Sequence, residues 1–119
     1  MSAATQIPTV DPDDTLAVLG AMEAWLTDES RWTKKHYWLT GRGIPTINRD
    51  RVACTCIVGA AAFVSGSGDP LSCPPHVREV LADALEDDPE AVNDTLRGYN
   101  RVMAGLRKAI ATKKVEAAS

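Results

Sequence analysis

Cys54 and Cys56 stand one residue apart in RVACTCIVGAAAFVSG, and Cys73 and His76 follow in CPPH. A C-x-C pair followed by C-x-x-H carries the thiolate and imidazole ligands of a closed tetrahedral zinc site. The local pattern speaks against such a site. The apolar run predicts a helix through both cysteines, and residues two apart on a helix point about 200° away from each other. No Gly or Pro before Gly59 offers a turn instead. Zinc through Cys54, Cys56, Cys73 and His76 is therefore disfavoured and no cofactor is expected. Small thiols filling a crowded helix are the simpler reading.

The same residues could supply a nucleophile, a base and an orienting group. In chain order Cys56, His76 and the Asn93-Asp94 pair follow the succession that papain-like enzymes use. Three Cys and two His make such an order easy to reach by composition alone, and no strand pattern offers to carry the base. A thiol in the first turn of a helix has its pKa lowered by the dipole, whereas one facing a core has it raised. The chain leans away from catalysis on these grounds. Cys56, His76, Asn93 and Asp94 remain the candidates of a small cysteine-dependent, hydrolase-like alternative.

The net charge of −3 conceals a segregated pattern. Arg31 to Arg51 holds six basic residues against one acid, Asp50, with Trp32, His36, Tyr37 and Trp38 interleaved. Glu79 to Asp94 holds seven acids and no Lys or Arg, and Arg97 to Lys114 is basic again. Basic groups neutralise phosphates and aromatics stack on unpaired bases, so the segment 31–51 permits nucleic-acid binding. Trp32 and Trp38 are equally suited to covering a core, and the acidic total gives no general attraction to nucleic acid. A protein is the expected partner, met through Arg31, Lys34, Lys35, Tyr37 and Arg42; a homodimer is also permitted.

The elements that must position these groups read as helices. In DDTLAVLGAMEAWLTDES, Asp13 or Asp14 caps a first helix with Leu16, Leu19, Met22, Trp25 and Leu26 on its apolar face. The stretch 31–50 begins helically, with Trp32, His36 and Leu39 sharing a face. It then turns extended, HYWLT and IPTIN flanking Gly41-Arg42-Gly43 as a short hairpin would. A second helix is expected from about Asp50 to Ser65, capped by Asn48 or Asp50 and stopped at Gly66; apolar on nearly every side, it should be central and buried. Pro74 and Pro75 suit the first turn of a third helix bearing Val77, Val80, Leu81, Ala84 and Leu85. EDDPEAVNDTLRG is a polar connector with room for one turn. The last helix spans about Tyr99 to Lys113, with Val102, Met103, Leu106 and Ile110 inward.

A chain of 119 residues, 45% hydrophobic, has the material for one core. The expected organisation is a mobile lead-in over 1–12, one helical domain over 13–113 and a C-terminal tail over 114–119. The longest apolar run, Ile57 to Val64, is far short of a membrane span, and the first residues lack a basic region followed by an apolar one. No membrane association is expected, and an odd number of cysteines suits reduced thiols in the cytoplasm.

Trp32 after an early helix, then C-x-x-G-A at Cys56, Gly59 and Ala60, then the N-D pair at Asn93 and Asp94 resemble domain of unknown function 6197, a family of small proteins from actinobacteria and their phages. The match spans roughly Leu16 to Ile110 and departs from the family at Val92, where an aromatic is usual. The resemblance implies a compact helical domain with Cys56, Gly59 and Ala60 as a structural motif, and it brings no established activity. Gly59 and the alanines are expected to let a neighbouring helix or the Asn93-Asp94 loop approach closely. The expected fold is all-α, or α-rich with a small extended hairpin, of about four helices around a buried central one. The expected function is non-catalytic protein binding or regulation.

Overall fold

The computed structural model describes residues 9–118. The first helix, α1 (Thr15–Leu26), starts where the Asp14 carboxylate accepts the N–H of Ala17 at 3.1 Å and buries Val18, Leu19, Met22, Trp25 and Leu26. A 3₁₀ turn over Glu29–Arg31 follows, capped by Asp28. The chain then becomes extended at once, where the sequence predicts a helical start. Trp32 bridges Thr55 in parallel, so Trp32, His36 and Leu39 do not share a helix face.

Strand β1 (Trp38–Leu39) runs antiparallel to β2 (Cys54–Thr55), pairing Trp38 with Thr55 and Leu39 with Cys54. The expected hairpin is present on the other side of β1, where Leu39 bridges Pro45 across a turn closed from Gly43 N–H to the Thr40 carbonyl. Gly43, at φ 76°, takes the left-handed conformation that this turn needs.

The second helix corrects the sequence reading. Its expected first turns are instead a 3₁₀ turn over Arg49–Arg51, capped by Asn48, and then β2; α2 (Ile57–Val64) starts only after Cys56. Ladder bonds explain the difference, since Ala53 donates to the Leu39 carbonyl at 2.8 Å and Cys56 to that of Tyr37 at 3.2 Å. These tertiary partners hold residues 53–56 extended against a local preference worth a few tenths of a kcal/mol per residue. The remaining expectation for this helix holds: all eight residues of α2 are buried.

Helix α3 (Pro75–Leu85) begins on its prolines, α4 (Pro89–Asn93) is the short turn in the acidic connector, and α5 (Gly98–Ala118) continues beyond Lys113. Together they form a compact, mostly helical single domain with one small β-hairpin. Phe63 of α2 lies between Trp25 and Trp38, with ring centroids 4.7 and 6.1 Å away. Both indoles are fully buried, each aromatic contributing about 2–3 kcal/mol by leaving water. Of the N-terminal segment, Val10 donates to the Val64 carbonyl at 2.8 Å, and residues 1–8 lie outside the described part. No helix among the described residues is long and apolar enough to cross a membrane.

Candidate functional site

Asn93 is the last residue of α4 and is wholly buried. Its side-chain oxygen accepts the indole N–H of Trp32 at 2.7 Å and the backbone N–H of Ile57 at 3.0 Å. Its amide nitrogen donates to the Thr33 carbonyl at 3.0 Å and to Asp94 Oδ1 at 3.3 Å. Both partners of the oxygen are donors only, which fixes the orientation of the carboxamide, and all four of its hydrogen-bonding positions are used. Asp94 Oδ1 also accepts the backbone N–H of Lys35 at 2.8 Å, holding that residue at φ 65°.

Ile57 is the first residue of α2, so its N–H is one of the helix's unpaired donors. A second, from Gly59, goes to Cys56 Sγ at 3.2 Å; the thiol is the N-cap. On the same turn, a Cβ on Gly59 would collide with the backbone carbonyl of Tyr37. Trp38 Nε1 closes the contact by donating to the Gly59 carbonyl at 2.9 Å. What packs against CIVGA is therefore the Tyr37 backbone and the Trp38 indole at the start of β1, where the sequence suggests a helix or the Asn93-Asp94 loop. The Asn93-Asp94 loop is present too, but it reaches the motif through hydrogen bonds.

The catalytic succession does not assemble. Cys56, Asn93 and Asp94 line one cleft with His36, Tyr37 and Glu90, whereas His76 is exposed on the first turn of α3, 3.9 Å from Glu79 and 3.5 Å from Lys113. The cleft measures about 80 Å³, room for about two or three waters. Burial pushes the Cys56 thiol up to about 11; the N–H groups of Gly59 and Val58 oppose this, and Glu90 and Asp94 add to it. At neutral pH the sulfur is a protonated cap. Glu90 is engaged as well, its Oε1 accepting the Tyr37 hydroxyl at 3.0 Å and Arg78 at 3.2 Å. Burial and this carboxylate raise the Tyr37 pKa.

The zinc set fails for a reason other than helical spacing. Cys54 lies in β2 and Cys56 just beyond it, and side chains two apart on extended chain share a face. The set is broken more widely: His76 is exposed on α3 beside Glu79 and Lys113, and the three cysteines do not converge with it or with one another. Among the described residues no three of His, Cys, Asp and Glu form a group that could hold a metal ion.

The basic segment divides into committed and open groups. The guanidinium of Arg31 lies 4.7 Å from the centre of the Trp25 ring and 4.0 Å from Asp28, and Lys34 sits 6.0 Å from the Trp32 ring. Arg49 is committed most deeply, donating to the carbonyls of Phe63 at 2.6 Å and Ser67 at 3.1 Å with its guanidinium 4.6 Å from the Phe63 ring. It is a cation placed on the C-terminal end of α2, a role the sequence reading misses. One signal could have found it: an apolar helix with no basic residue in its last turn leaves its C-terminal dipole open to a cation from elsewhere in the chain. The acidic block finds its own partner in Arg78, 3.1 Å from Asp88 and 3.2 Å from Glu90. Lys35, Arg42 and Arg51 remain exposed.

Those exposed cations border two open grooves that share Pro45 and Thr46, one of about 600 Å³ around Arg42, Ile44 and Arg51, the other of about 500 Å³ around Lys35, Ile47 and Leu71. Ile44, Ile47 and Leu71 are 56%, 77% and 63% exposed. No family model, curated protein or solved structure matches this chain.

Proposed function

We propose that this chain is a non-catalytic cytoplasmic module that binds another protein through the face carrying Ile44, Ile47 and Leu71, and that the Cys56, Gly59 and Asn93 motif is the clasp that keeps this face in place. One observation carries the reading: three large aliphatic side chains stand in water at two grooves that share Pro45 and Thr46 and are bordered by Lys35, Arg42 and Arg51. An aliphatic cluster of this kind is favoured when a partner covers it, at about 25 cal/mol per Å² of apolar surface removed from water. The clasp supports the reading from the other side. Asn93 is saturated and Cys56 is protonated, so the motif has no free group to offer a substrate.

Nucleic-acid binding loses both tryptophans of its stacking platform, because Trp38 is buried and Trp32 donates to Asn93. The kinship we propose with the domain of unknown function 6197 family has the same support, since Trp32, Cys56, Gly59, Asn93 and Asp94 all belong to the clasp. The test is site-specific photo-cross-linking in the native host, with the photoreactive residue at position 47 or 71 and controls at 79 and 83 on α3. A discrete adduct at the first two positions only, mapped to one protein whose purified form binds the wild type but not Ile47→Asp, is the expected result. Equal labelling at both faces, or none, would sink the reading.

A further inference from the structure

The charge along this face narrows the partner further, granting that it is a binding face at all. Lys35, Arg42 and Arg51 are the charged side chains along the two grooves, with His36 and Tyr37 beside them, and no carboxylate of the described residues lines either groove. The chain's own acids do not cover them. Asp88 and Glu90 are held by Arg78, and Asp94 is turned to the backbone of Lys35. Aliphatic side chains and cations line the same two grooves, Ile44 with Arg42 and Arg51 in one and Ile47 and Leu71 with Lys35 in the other, and the grooves adjoin at Pro45 and Thr46.

We infer that the occupant is a segment of another protein that combines Asp or Glu residues with large aliphatic ones. Aliphatic side chains would cover Ile44, Ile47 and Leu71, and carboxylates would meet Arg42, Arg51 and Lys35. Electrostatic complementarity of this kind sets partner choice and association rate more than affinity. A nucleic acid would satisfy the cations and leave the three aliphatic side chains in water. The volumes of both grooves fall in the range of sites that hold side chains and small ligands, as the cleft at Cys56 does not.

Fluorescence anisotropy with synthetic peptides tests this. The probe is a labelled peptide alternating Glu and Leu; the comparisons replace Leu by Ser or Glu by Lys, and add a single-stranded oligothymidine. Saturable binding of the Glu-Leu peptide alone is expected, weakened about tenfold by the double variant Arg42→Glu/Arg51→Glu and again by Ile47→Ser. All three substituted positions are exposed, and circular dichroism checks that the variants fold. Equal binding of the Lys-Leu peptide, preference for the oligonucleotide, or indifference to the charge reversals overturns the inference. So does self-association of the protein that the charge reversals abolish, because the occupant is then a second copy. If the cross-linking above captures a partner at position 47 through a neutral or basic segment, this inference falls while the binding module stands.

Discussion

The side-chain oxygen of Asn93 accepts the backbone N–H of Ile57 at 3.0 Å, joining the end of α4 to the first turn of α2 across 36 residues of chain. The same oxygen takes the indole of Trp32, so one atom fixes three segments that are remote in sequence.

Removing that atom leaves buried donors without partners. Asn93→Ala is expected to destabilise the fold by about 3 kcal/mol or more, since each orphaned buried group costs about 1–3 kcal/mol. Asn93→Asp keeps the acceptor but loses both donors and sets a second carboxylate beside Asp94, so it should also destabilise. Urea denaturation reads both; a wild-type midpoint for either variant would contradict the clasp.

Gly59 and Gly20 make a matched pair. A methyl group on Gly59 meets the Tyr37 carbonyl, which is backbone and cannot swing aside, whereas one on Gly20 meets nothing within 4 Å. Gly59→Ala should lose about 2 kcal/mol or more through overpacking, and Gly59→Leu should lose more still. Gly20→Ala, in the exposed part of α1, should gain up to about 1 kcal/mol. Thermal unfolding of the alanine variants separates the two cases by sign.

The Cys56 thiol ties stability to alkaline pH. Its pKa rises from 9.0 in the free side chain to about 11 in the fold, because burial disfavours the thiolate. Between those values the unfolded chain releases the proton and the folded chain keeps it. The stability contributed by the neutral thiol is therefore complete below pH 9 and falls as pH rises towards 11, by about 2–3 kcal/mol in all. Cys56→Ser keeps an acceptor for the Gly59 N–H and does not ionise, so it should fold at pH 7 and show a shallower alkaline decline. Cys73, pushed up to about 11 chiefly by burial, accounts for part of the remaining slope. Urea midpoints measured from pH 8 to 11 check the difference; identical slopes would count against a buried protonated Cys56.

Arg49 should behave as a helix cap, and Arg42 as a surface group. Arg49→Met loses two hydrogen bonds to carbonyls at the end of α2 and the charge beside its dipole, about 1–2 kcal/mol. Arg49→Lys should recover little, because an ammonium cannot reproduce the planar contact with Phe63. Arg42→Met, at an exposed turn, should stay within about 0.5 kcal/mol of wild type. Guanidinium denaturation of the three variants gives the ranking.

Much of the helical frame was legible residue by residue. Asp14 caps α1, Pro74 and Pro75 begin α3, and the unbroken apolar run of 57–64 marks a helix buried on every side. These signals are local: a cap, a fixed φ and a periodicity act within a turn or two of the residues that carry them. What residues 53–56 do was not legible, because their extended form depends on ladder bonds to Tyr37 and Leu39, which lie across a turn and a 3₁₀ segment. The candidate site divides in the same way. The C-x-x-G-A and N-D motifs could be picked out from the sequence, but their meeting required Asn93 to reach Ile57, Trp32 and Thr33 through the folded core. His76 left the set because α3 carries it away, and Arg49 entered as a cap because α2 ends beside it. By itself the sequence determined which helices form and which of them is buried. Tertiary structure alone decided where α2 begins, what Cys56 does and which cations stay free, because each depends on the approach of segments that no local rule brings together.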